Sequence, residues 1–68
     1  MCESNVFVLE DDQEALFMKD VGWVEFRQDH VLLKDVEGLE RSIRARLAYA
    51  DLVGHRIVLE PVQPADHG

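Results

Sequence analysis

Cys2 is the residue whose type and place suggest chemistry first, because it directly follows the initiator methionine. When Met1 is removed, the α-amine and thiolate of an N-terminal cysteine close a five-membered chelate around a metal ion. One chelate supplies one nitrogen and one sulfur. Two of them, related by a two-fold axis, supply an N2S2 square of the kind that suits Ni(II) or Cu(II). When Met1 stays, its amine, the deprotonated amide of Cys2 and the Cys2 thiolate form a three-point hook of similar character. The competing reading is an idle or buried thiol, since a free cysteine often behaves as a small hydrophobe. Position alone leaves both readings open.

The remaining candidates carry less. His30 follows a turn and reads as the cap of a strand. His55 sits in Val53-Gly54-His55-Arg56, a turn entering the last strand, and reads more simply as a hairpin histidine than as a metal ligand. His67 lies in the C-terminal segment and is expected to be inert, and Trp23 reads as a core or interface side chain. The two serines, Ser4 and Ser42, stand in no nucleophile elbow, and neither a glycine-rich phosphate loop nor an HExxH pair occurs. A catalytic constellation is therefore missing, and the expectation is a protein that is not an enzyme. Arg41, Arg44 and Arg46 form a single basic cluster. It could touch RNA, but a solvated, partly salt-paired face is the simpler reading.

The elements that must position Cys2 follow from the turn signals. Asp11-Asp12, Lys19-Asp20, Gln28-Asp29 and Glu37-Gly38 recur at spacings of eight or nine residues, and Gly54-His55 follows later, the rhythm of an all-β sandwich or barrel. Strands are predicted at Ser4 to Glu10, Gln13 to Met18, Val21 to Arg27, His30 to Lys34 and Arg56 to Glu60, segments rich in β-branched and aromatic side chains. Leu39 to Leu52 is ambiguous. Leu39, Ile43 and Leu47 fit one helical stripe, while Ile43, Ala45, Leu47 and Tyr49 alternate as in a strand, and the surrounding rhythm favours strands. The expected fold is thus a small antiparallel β-barrel or sandwich of six to seven short strands. Residues 1–60 form a single small β domain and 61–68 a flexible C-terminal tail marked by Pro61, Pro64 and Gly68.

Composition narrows the class. Apolar residues make up 47% of the 68, too many for a disordered chain, yet no stretch approaches the roughly 20 apolar residues that span a bilayer. A lone cysteine rules out an internal disulfide. With no basic and apolar leader pattern, the expected compartment is the cytoplasm, where a thiol stays reduced. The net charge of −7 resides in residues 1–37, which hold ten acids against three bases, while residues 38–68 are balanced. Nucleic-acid binders usually carry the opposite sign, whereas an acidic surface suits a protein that meets cations. Several predicted strands, such as Val6-Phe7-Val8-Leu9 and Ile57-Val58-Leu59, are apolar on both faces. A chain this small hides two such faces most simply in a two-fold homodimer.

The opening Met1-Cys2-Glu3-Ser4-Asn5-Val6-Phe7 resembles the start of the CooT family, small nickel-binding accessory proteins of carbon monoxide dehydrogenase maturation that begin Met-Cys-Glu-Ala-Asn-Val-Tyr or similar. The resemblance continues in Leu16-Phe17-Met18-Lys19-Asp20-Val21 and in the closing strand Asp51-Leu52-Val53-Gly54-His55-Arg56-Ile57-Val58-Leu59-Glu60, and so covers about residues 1–60. Gly22-Trp23 and the arginine-rich 41–46 stretch are individual to this chain. The resemblance implies an all-β fold, a homodimer and Ni(II) bound through Cys2, with carbon monoxide dehydrogenase as a possible metalloenzyme client. The leading expectation is a nickel-binding, metallochaperone-like accessory protein with its site at a dimer interface. The alternative is a small RNA-binding β-barrel using Arg41, Arg44 and Arg46.

Overall fold

The computed structural model describes residues 3–62. It is all-β, with strands β1 (Ser4–Glu10), β2 (Gln13–Phe26), β3 (Val31–Asp35), β4 (Glu40–Ile43), β5 (Ala45–Asp51) and β6 (Arg56–Pro61). They form one sheet in the order β4-β3-β2-β1-β6-β5, curled into a half-barrel. The predicted antiparallel pairing holds for four of the five neighbour pairs. The exception is β1 with β6, which run parallel, Asn5 opposite Arg56 and Val8 opposite Leu59. Such a pair needs a long connection, and here everything from β2 to β5 is that connection.

The turn expected at Lys19-Asp20 is a crease within one fourteen-residue strand. Asp20 adopts φ 55°, and the register slips on both sides of it, between Val6 and Phe7 of β1 and between Val21 and Trp23 of β2. The first half of β2 pairs with β1 and the second half with β3, and Val21 is opposite both Ser4 and Asp35. Bulges of this kind bend and twist a strand without ending it. By contrast, Asp11 and Asp12, with φ 52° and 66°, make the two-residue reversal that their position predicts.

The crease folds the sheet over its own aliphatic face. Val6 and Val8 of β1, Met18 and Val21 of β2, Val31 and Leu33 of β3, Ala45 and Leu59 form the core, with Phe17, Val24, Ile43 and Ile57 packed against it. Period-two spacing puts each of the pairs Val6/Val8 and Val31/Leu33 on the same side. Burying one such side chain contributes roughly 1.5–3 kcal/mol. The ambiguous Leu39–Leu52 segment is two strands, β4 and β5, the outermost strands of the sheet. Arg44 alone joins them, and the Val62 N–H donates to its carbonyl at 3.0 Å. The alternation read through Tyr49 breaks because the register slips between Leu47 and Tyr49.

The convex face is built differently. Leu16, Phe7, Val58 and Tyr49 are successive neighbours across β2, β1, β6 and β5. Val58 is fully buried although it lies outside the main core. Its cover comes from its own chain: the Arg56 guanidinium lies 4.2 Å above the Phe7 ring, and the Glu14 carboxylate accepts hydrogen bonds from both the Tyr49 hydroxyl and Arg56. The Tyr49 bond, with Arg56 adding to it, holds the Glu14 carboxyl below the usual carboxylate range. That same bond raises the Tyr49 hydroxyl above its ordinary value. Leu16 stays half exposed beside this cluster.

Candidate metal centre at the start of the first strand

Cys2 and Met1 lie outside the described residues, as does His67, so the site is approached through the chain that carries it. Glu3 and Ser4 are half-buried, and β1 begins at Ser4. Asn5 is tied on both sides. Its backbone N–H donates to the His55 carbonyl at 2.9 Å, and its side-chain Oδ1 accepts from the Asp20 N–H at 3.2 Å.

Each of those partners is fixed in turn. His55 has φ 57° and closes a turn in which the Gly54 N–H donates to Asp51 Oδ1 at 2.9 Å. A Cβ at Gly54 would meet Asp51 Oδ2 at 2.7 Å, so a larger residue there would push aside the carboxylate that accepts this hydrogen bond. On the other side, the Asp20 carbonyl accepts from the Val36 N–H at 2.9 Å. Asp35 Oδ1 accepts from the Glu37 and Leu39 N–H groups, each at 2.9 Å, which shapes the turn after β3. One line of hydrogen bonds therefore runs from the β3–β4 turn through Asp20 and Asn5 to the β5–β6 turn. The tip of the latter, Leu52 and Val53, is 77% and 92% exposed, unusual for large aliphatic side chains.

The two described histidines are not brought together. His55 leads into β6, while His30 leads into β3, where its Nδ1 lies 2.8 Å from Asp29 Oδ1. The His30 hydrogen bond is the main reason the Asp29 carboxyl stands below its usual range. Among the described residues no group of three or more His, Cys, Asp and Glu could hold a metal ion. Cys2, the ligand the sequence reading singles out, lies outside the residues this covers.

The arginine cluster is engaged within the chain. Arg41 stacks at 4.1 Å on the Phe17 ring and donates to the Phe17 carbonyl at 2.9 Å. Arg46 Nε lies 3.2 Å from Glu60 Oε1, and Arg44 reaches Asp29 at 4.0 Å. Two of the three arginines thus face carboxylates, and the third rests on an aromatic ring.

Over residues 1–60 the chain matches the family model described as CO dehydrogenase accessory protein CooT. The chain belongs to the CooT family. A crystal structure of a protein provisionally named CooT from Carboxydothermus hydrogenoformans shares the fold with a TM-score of 0.83 and 32% sequence identity, covering 91% of this chain and 100% of that one. A search of curated proteins gave no match. The CooT half-barrel explains a residue that reading the sequence for ligands passed over. Asn5 occupies the fifth position of the opening motif, a signal visible in the sequence, but its role depends on a crease in β2 that local pattern does not show.

Proposed function

We propose that this CooT-family chain is a nickel-binding accessory protein that holds Ni(II) through Cys2 as exchangeable cargo for a metalloenzyme. The client that the family description supports is carbon monoxide dehydrogenase. The observation that carries this reading is a cysteine at the second position of a chain that matches the family from residue 1 to residue 60. A thiolate near a chain end exchanges its metal readily, as delivery requires, whereas a closed four-ligand cage is a structural device.

One N-terminal cysteine supplies two donor atoms, or three with Met1 retained, while square-planar nickel takes four. A homodimer that brings two N-termini to a two-fold axis supplies the rest, and such interfaces are self-complementary. The half-exposed Leu16 on the convex face and the Leu52-Val53 tip are apolar surface available for it. A reduced thiol matches a cytoplasmic setting.

Calorimetric titration with Ni(II), beside light scattering, tests the proposal. One ion per dimer is expected, with affinity falling as pH drops because thiolate coordination releases a proton. Cys2→Ser abolishes tight binding and a near-ultraviolet thiolate-to-nickel band, and leaves the circular dichroism spectrum unchanged. Tight binding retained in Cys2→Ser but lost in His55→Ala would move the site to the last hairpin and overturn the assignment.

A further inference from the structure

We infer that the end of the half-barrel formed by the β3–β4 and β5–β6 turns docks on a protein partner, one that offers an apolar hollow rimmed by lysine and arginine. The inference rests on the accessory role and its carbon monoxide dehydrogenase client, and names the surface through which the two meet.

The two turns carry the four most exposed large apolar side chains of the described chain. Leu52 and Val53 are 77% and 92% exposed at the β5–β6 tip, and Val36 and Leu39 are 57% and 59% exposed in the β3–β4 turn. Single apolar side chains scattered over a surface need no explanation, but a cluster marks an interaction site. These four share one end of the molecule. Strands β3, β2, β1 and β6 are successive neighbours, and at this level the Val36 N–H donates to Asp20, the Asp20 N–H to Asn5, and the Asn5 N–H to His55. Three strand spacings amount to about 14 Å. Both turns therefore fall within the footprint of one interface of about 800 Å² per partner.

The surface is set before a partner arrives. Leu52 and Val53 lie between Asp51, whose Oδ1 accepts from the Gly54 N–H at 2.9 Å, and His55, whose carbonyl is held by Asn5. In the other turn, Asp35 Oδ1 accepts from the backbone N–H groups of Glu37 and Leu39. Side chains mounted on a fixed backbone lose less freedom on association, and that loss is a main cost of binding.

Charge selects the partner. Asp20, Asp35, Glu37 and Asp51 stand at this end, and none lies within ion-pair distance of a base among the described residues. Five of the seven lysines and arginines are paired with carboxylates elsewhere, and Arg41 lies over the Phe17 ring. Lys19 is left against four carboxylates. A second copy would set this negative field against itself, and like charges facing across an interface oppose association. A basic rim on a different protein completes it, with Leu52 and Val53 as the anchors that fill the hollow. The half-exposed Leu16 on the convex face is then the apolar surface left to a second copy.

The test measures binding of the full chain to purified carbon monoxide dehydrogenase by biolayer interferometry. The parent is compared with the double variant Leu52→Ser and Val53→Ser, and with Glu37→Lys. The double variant is expected to bind about thirtyfold more weakly, as loss of interface anchors does. Its circular dichroism spectrum, mass by light scattering and nickel titration should match the parent's. Glu37→Lys should slow association about threefold, and added salt should weaken the parent's binding, because rim charges act on the encounter. Val36→Ser, in the other turn, is read in the same way should the double variant fail to fold.

Equal binding by the parent and the double variant would overturn the inference. So would a double variant that halves in mass, since the tip would then join two copies of this chain. Binding indifferent both to salt and to Glu37→Lys would remove the basic rim and with it the partner proposed. A parent that does not bind the enzyme at all ends the client reading as well, an outcome seen without any variant.

Discussion

The two faces of the curled sheet solve the same problem by different means. The concave face is closed by aliphatic side chains, among which Val6, Val31, Leu33 and Leu59 are at most 1% exposed, and no polar or charged residue of the described chain is buried with them. The convex face also carries apolar side chains, Phe7 and Val58 foremost, yet it is roofed by Arg56, Glu14 and Tyr49. Burial alone holds the first, and a charged, partly solvated cover holds the second. The lesson is that apolar residues on both sides of a strand do not by themselves demand a second subunit. Long side chains can lay their stems over the outer face and keep their polar heads in water.

The comparison is sharpest at Leu33. A 68-residue domain has only roughly 3–10 kcal/mol of net stability, and Leu33→Ala is expected to remove about 2–5 of it in chemical denaturation, leaving the chain close to unfolding. Arg56→Ala should act more mildly, lowering the thermal midpoint by a few degrees through loss of the stack on Phe7 and of one partner of Glu14. Arg56→Lys should recover only part of that, because a point charge neither stacks nor forks as a guanidinium does. Should Leu33→Ala prove no costlier than Arg56→Ala, the two faces would not differ as described.

The smallest effect is the dependence on acid. The Glu14 carboxyl is held low in the folded chain by Tyr49 and Arg56, so its stabilising contribution is present at neutral pH. It is lost as pH falls through the carboxylate range toward the lowered value. Glu14→Gln should therefore flatten the acid side of the stability profile and leave a smaller gap to the parent at low pH than at neutrality. A variant whose acid profile parallels the parent's would remove Glu14 from the roof.

Much of this architecture was legible in the sequence. Strand β1 lies where predicted, Asp11-Asp12 reverses the chain, and the β-branched run at 56–60 is the last strand. The errors have local physical causes. At Lys19-Asp20 the turn signal marks a left-handed residue, Asp20, but such a residue serves a bulge as readily as a reversal. The alternation through Tyr49 hid a register slip. The parallel partnership of β1 and β6 leaves no local trace, since it joins residues far apart in sequence. As for the candidate site, Cys2 stands out in the sequence by position but lies outside the described residues, whereas the ties of Asn5 to Asp20 and His55 appear only in the fold.

That partnership has a consequence for the order in which the molecule is made. Residues 5–8 find their β6 partners about fifty positions later, so the ribosome releases the first strand long before the strand that completes its second edge exists. Until the final hairpin emerges, Asn5 has no His55 carbonyl to hold, and the start of the chain is anchored from one side at most. A nascent or truncated copy thus holds β1 along its β2 edge only, and its other edge is completed when the last strand of the sheet is made.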